Sequence, residues 1–129
     1  LSADFWYHAL WAAKKLRRGE LLVAKRTVDG YLKERLFTLL EWHARAGDPS
    51  VDVWHDRRFF ERWADPRAVD ELRGAYGTYD PGEIVRALRA TADLFEWVER
   101  ETTLRIAHAN PDDRSAVRVE VDRVLGQKR

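Results

Sequence analysis

At 129 residues the chain is sized for one domain with one core. Hydrophobic residues make up 45% and charged residues 35%, a balance that excludes a disordered tail. The 23 basic and 22 acidic residues leave a formal charge of +1, which argues against a dedicated nucleic-acid binder, and the absence of cysteine excludes disulfides, thiolate metal sites and cysteine nucleophiles. Ser2 is a plausible N-cap with Asp4 in the first turn, opening a helix that runs to about Arg18 and stops at Gly19. A longer second helix reads from near Glu20 to about Ala46, with Leu21, Val28, Leu32, Leu36 and Leu39 at helical spacing and Gly30 as a place to bend. Asp48 to Asp56 reads as a loop. Short helices follow around Arg57–Trp63 and from Pro66 after Asp65, then a turn-rich stretch from Gly74 to Gly82. Asp80-Pro81 opens another long helix to about His108; Asn110-Pro111-Asp112 breaks it, and Val117, Val121, Val124 and Leu125 mark a final amphipathic helix. No strand alternation interrupts this. The expected fold is all-α, a bundle of five or six helices with a long second helix.

The first helix carries Phe5, Ala9, Ala12, Ala13 and Leu16 on its core side. The opposite side collects Asp4, Tyr7, His8, Trp11, Lys14, Lys15 and Arg18, with Trp6 at the margin. Large rings among charges suit a face that meets a ligand, another domain or a second chain; packing on a neighbouring helix of the bundle is the alternative. In the second helix Lys25 falls within the apolar stripe, with Asp29 one turn on. Either the two form an i,i+4 ion pair, or the stripe opens there onto a polar pocket that they line. The basic run from Lys14 to Arg26 suits a polyphosphate, or else a solvated helix–helix turn. His43 reads as a packed core histidine. No histidine spacing resembles a metal site, and no Gly-rich phosphate loop or Ser/His/Asp arrangement is present. No apolar run is long enough to span a bilayer and no signal peptide precedes the first helix, so the expectation is a cytoplasmic protein without membrane or nucleic-acid partners. The start at Leu1, directly into a helical pattern and without Met, suits cleavage, trimming or excision of a domain from a longer protein.

The stretch Asp4-Phe5-Trp6-Tyr7, Ala13-Lys14, Leu16, Arg18, Glu20-Leu21-Leu22, Ala24-Lys25 and Asp29 resembles the helical pair that follows the catalytic core in aminoglycoside 6-adenylyltransferases, the streptomycin-modifying enzymes. Leu40-Glu41-Trp42, Val51, Val53, Tyr76 and Leu94-Phe95 continue it more weakly, and Lys15, Arg17 and Gly19 depart from the pattern. The resemblance implies that residues 1–129 are the C-terminal helical, substrate-binding domain of a nucleotidyltransferase. Its α/β core, with a Gly-Ser motif and paired aspartates for magnesium and ATP, is absent from this chain. By itself the chain then has no catalytic residues and holds no metal, while the whole enzyme uses ATP and magnesium to transfer AMP to an aminoglycoside hydroxyl. On the same resemblance Lys14 and Arg18 would hold ATP phosphates. Asp4, Lys25 and Asp29 would serve the polycationic antibiotic site, and Trp6, Tyr7 and Trp11 would pack on sugar faces. Two other classes compete. One is an interaction module, a homo-oligomer joined through the first helix's aromatic face. The other is the helical ribonuclease partner of minimal nucleotidyltransferases, which requires Arg four to six residues before His; none of His8, His43, His55 or His108 has one.

Overall fold

The computed structural model describes residues 1–109 and Leu125, and among these the chain is helical without a strand. Helix α1 spans Ser2–Arg17 and ends where Gly19 takes a φ of +78°, a left-handed conformation that costs glycine least. Leu1, not Ser2, occupies the N-cap, and no side chain caps the helix. The long second rod has three parts: α2 (Leu21–Arg26), a π-helical segment (Thr27–Leu32) and α3 (Lys33–Gly47). Gly30, expected as a bend, sits inside the π segment. The wider turn accommodates one extra residue without breaking the rod.

After the rod, residues 48–59 form an irregular connection in which Trp54, Asp56, Arg57 and Phe59 all take positive φ. It is held to α3 by Arg57, whose guanidinium reaches Glu34 at 2.5 Å and Glu41 at 3.6 Å. Short helices α4 (Phe60–Trp63) and α5 (Pro66–Arg73) follow. Asp65 caps α5 by accepting from the Arg67 amide, with Pro66 at the first position, as the sequence leads one to expect. Helix α6 runs from Pro81 to Ala109, its start capped by Asp80 through the Glu83 amide. The final amphipathic helix expected through Val117, Val121 and Val124 lies outside the described residues; Leu125 is helical and exposed.

One core joins these elements. Val28, Leu32, Leu36 and Leu40 of the rod face Leu94, Phe95 and Val98 of α6, all inaccessible to solvent. Phe5 brings α1 in by stacking on Phe95, with ring centroids 3.8 Å apart and planes within 4°. Ala12 is buried but Ala13, which α-helical spacing puts on the same side, is exposed.

Candidate functional site

The π segment is the centre of the polar architecture, because it presents side chains to two different neighbours. Towards α1 it offers Tyr31, whose hydroxyl donates to both carboxylate oxygens of Asp4 at 2.8 and 2.7 Å. That bond, which only the neutral phenol can donate, pushes the Tyr31 pKa up. Arg35 lies 3.9 Å from the same carboxylate and stacks over the Tyr31 ring, while the His8 ring packs on Tyr31 at 4.0 Å. One turn further along α1, Trp11 closes the wall of a cleft of about 320 Å³ lined also by Val23, Arg26, Thr27 and Tyr31. Lys15 covers the outer edge of Trp11 and pairs with Glu20. The α1 row Asp4, His8, Trp11 and Lys15 therefore faces the rod as a half-buried, mixed polar and aromatic wall.

On its other side the π segment offers Asp29. One carboxylate oxygen binds Lys25 at 2.6 Å; the other is buried and has no hydrogen-bond partner. Lys25 also donates to the Gly77 carbonyl at 2.5 Å, so the pair reaches across to the turn before α6. Gly77 is required at that turn, since a Cβ there would lie 2.7 Å from the Glu83 carbonyl oxygen. Beneath this pair lies Lys33, only 1% exposed, donating to the carbonyls of Val28 and Ala75 and to the Thr91 hydroxyl. Burial pushes its pKa down to about 8, partly opposed by Asp29. Tyr76 lies over the Lys33 ammonium at 4.5 Å, and its own pKa is raised by burial and by Asp29.

A third polar cluster joins α3, α5 and α6. The His43 ring is buried, with Nε2 3.1 Å from Glu101 and Nδ1 3.2 Å from Arg105. Burial lowers its pKa, which fits a neutral ring that donates from Nε2 and accepts at Nδ1. Arg105 also donates to the His43 carbonyl and lies 3.2 Å from Glu101 and 3.5 Å from Asp65.

Residues 1–120 match the streptomycin adenylyltransferase family. The chain belongs to that family. Similarity to the aminoglycoside 6-adenylyltransferase of Bacillus subtilis (strain 168) amounts to 23% identity over 110 residues, covering 84% of this chain and 39% of that protein. The chain therefore spans well under half the length of this curated relative. No solved structure matches. No helix among the described residues is long and apolar enough to cross a membrane.

Membership in the streptomycin adenylyltransferase family implies nucleotide and metal use by a full-length enzyme, and this chain's donor sets can be tested for the metal. Among the described residues, His43, Asp65 and Glu101 place ligand atoms within 4.8 Å of one another. The Arg105 guanidinium already lies against all three residues, and magnesium prefers an all-oxygen octahedron. These residues do not fit magnesium.

The residues picked out from the sequence separate into three places. Asp4 and Trp11 stand together on the α1 wall facing Tyr31, and Lys25 and Asp29 stand together on the side facing Gly77. Tyr7, Lys14 and Arg18 are exposed on the outer side of α1, whereas Trp6 sits at its margin, packed edge-on against the core rings Phe5 and Phe95. Tyr31, Arg35, Lys33 and Tyr76 complete the two polar clusters and escape a sequence reading. The pattern offered one signal for Lys33, which shares helical spacing with Leu36 and Leu40.

Proposed function

We propose that this chain is the substrate-binding helical part of an aminoglycoside adenylyltransferase, whose magnesium- and ATP-holding core lies in the remainder of a longer cytoplasmic polypeptide. The observation that carries this reading is the family match over residues 1–120, in a chain spanning 39% of the Bacillus subtilis relative. In the reaction a hydroxyl oxygen of a streptomycin-like aminoglycoside forms a bond to the α-phosphorus of ATP. Pyrophosphate leaves, and the hydroxyl proton passes to a base outside this chain. Magnesium held by the core would neutralise charge on the phosphates when bound.

The chain's own contribution is to collect and orient the cationic substrate. Asp4 and Asp29, set on either flank of the π segment and each partly exposed, supply negative charge. Trp11 and Tyr31 provide ring surface in the adjoining cleft for the apolar faces of sugar rings. Lys14 and Arg18, one turn apart and exposed, would meet the triphosphate from the outer side of α1. The π segment supports the placement of a site here, since such turns occur frequently at functional positions.

The test is transfer of labelled AMP from ATP to streptomycin by the full-length polypeptide and by residues 1–129 alone. The expected result is labelled antibiotic from the first and none from the second. Turnover by residues 1–129 alone would overturn the division of roles, and a full-length protein inactive on every aminoglycoside would overturn the substrate.

A further inference from the structure

A helix that is apolar on two opposite sides is made to be covered on both. Helix α1 is of this kind. Its inner side, with Phe5, Ala9 and Ala12, is covered by the rod and α6. Its outer side repeats the pattern at Ala3, Trp6, Tyr7, Leu10 and Ala13, spaced three and four residues apart. Tyr7 is 66% exposed and Leu10 57%, while Trp6, at the stripe's margin, packs one edge on Phe95 and leaves 36% of its surface open. The outer stripe continues sideways into a shallow groove of about 420 Å³ between α1 and α6, lined by Ala13, Leu16, Arg17, Val85, Leu88 and Arg89.

The charge around this surface points the same way. Lys15, Lys25 and Arg35, which face the rod or the turns beside it, each lie within 4 Å of a carboxylate. Lys14, Arg17, Arg18 and Arg89, which lie along the outer stripe and its groove, have no acidic partner among the described residues; Arg26, Arg45, Arg58 and Arg62 share that state but are scattered over other surfaces. Apolar surface beside four cations that have no acidic partner among the described residues has the make-up of an interface core with a polar rim, and its partner should carry the opposite charge.

We infer that the outer face of α1, with the α1–α6 groove, is the docking surface for the nucleotidyltransferase core of the same polypeptide. The core would present an apolar ridge with an acidic border. The remaining length makes the core the occupant, since some three-fifths of the Bacillus subtilis relative lies outside the matched region. The identity of the partner rests on the adenylyltransferase reading above. Docking here would bring Lys14 and Arg18 to the edge of the core, where ATP is held, and would leave the cleft at Trp11 and Tyr31 on the adjoining side of α1.

The experiment uses the full-length protein carrying Leu10→Glu with Ala13→Glu, and Arg45→Glu as a control on exposed α3 surface. It reads circular dichroism, limited proteolysis between the two parts, sedimentation and AMP transfer. The expected result is unchanged helicity, interdomain cleavage accelerated tenfold or more, and transfer reduced by at least tenfold, with the control like wild type. A second variant, Ala13→Cys, keeps the proposal open to refutation should the glutamates disturb folding. Its maleimide labelling, located by peptide mapping, should be at least tenfold slower than that of Arg45→Cys. Active protein whose glutamate variants match wild type in cleavage and transfer, or fast labelling at Ala13→Cys, overturns the docking surface. So does conversion of a dimer to a monomer with cleavage unchanged, which would make the occupant a second copy. Accelerated cleavage in a protein that never transfers AMP would instead leave the docking intact and sink the adenylyltransferase reading.

Discussion

The Lys33 ammonium meets the Thr91 hydroxyl at 2.9 Å in the middle of the bundle, where both side chains are buried. Thr91 passes its own proton to the Ala87 carbonyl, so its oxygen is free to accept from Lys33. With its other two hydrogens on Val28 and Ala75, Lys33 ties together the π segment, the turn after α5 and α6. Replacing it with Met would keep the volume but leave two buried carbonyls short of a partner. The expected cost is about 2–4 kcal/mol in urea unfolding, from unsatisfied groups at roughly 1–3 kcal/mol each.

The same lysine should give the protein a distinctive alkaline profile. Its pKa is about 8 when folded against an ordinary value of 10.5, so between these the unfolded chain binds more protons. Stability must therefore rise with pH across that window, by on the order of 3 kcal/mol if the whole difference is expressed. Tyr31 and Tyr76, whose pKa values are raised in the fold, oppose this only above pH 10. Urea midpoints from pH 7.5 to 10 should climb in wild type, and the climb should vanish in Lys33→Met. Parallel profiles for the two proteins would show that Lys33 is not the titrating group.

Most of the helical frame was legible from the chain, and the reason the polar sites were only half legible is physical. Gly19, Asp65-Pro66 and Asp80-Pro81 mark element ends by backbone conformation and capping, which are local properties. The π segment is not local in this sense. An extra residue in one turn rotates everything after Gly30 by about 100° relative to a straight α-helix, so a 3.6-residue template drifts out of phase there. The drift puts Lys33 off the stripe set by Leu21 and Val28, yet Lys33 is the fully buried lysine, while Lys25, which precedes the π turn, keeps the stripe's spacing and is half-exposed because it reaches Asp29 and the Gly77 carbonyl. Tyr31 escaped for a different reason: its value lies in a hydrogen bond to Asp4, 27 residues away.

Among the described residues Arg105 is the cation of a cluster that sets a buried neutral histidine beside two carboxylates. Arg105→Ala removes the donor to the His43 carbonyl and the charge beside Asp65 and Glu101. It should cost about 2–4 kcal/mol, because a half-buried network loses its common partner. Residues 1–129 alone should show no thermal shift with magnesium through this cluster, since the guanidinium already lies against all three ligand residues.

Lys14 is exposed and sits on the outer side of α1, so Lys14→Ala should leave the thermal midpoint of the full-length enzyme within a degree or so. If it meets ATP phosphates, the KM for ATP should rise several-fold with the KM for streptomycin little changed. A lowered midpoint with unchanged kinetics would make it a scaffold residue.

Asp29 separates scaffold from site most sharply. Its pair with Lys25 is partly exposed, and Lys25 keeps the Gly77 carbonyl as a second acceptor. Asp29→Asn should therefore cost no more than about 0.5–1 kcal/mol, the range for a solvent-screened pair. A fully buried pair would instead lose about 3–5 kcal/mol on removal of one partner. The Asp29 side chain is about a third exposed, and a substrate ammonium would approach its carboxylate from that open side, beside Lys25. In the full-length enzyme the Asn variant should thus melt close to wild type yet bind streptomycin more weakly. The loss should be smaller at 0.5 M salt than at 0.05 M, because part of the missing attraction is already screened there. Paired melts and streptomycin titrations at the two ionic strengths make the comparison. Equal affinity of Asp29→Asn and wild type at both would return Asp29 and Lys25 to the scaffold, as the clasp between the π segment and the turn at Gly77.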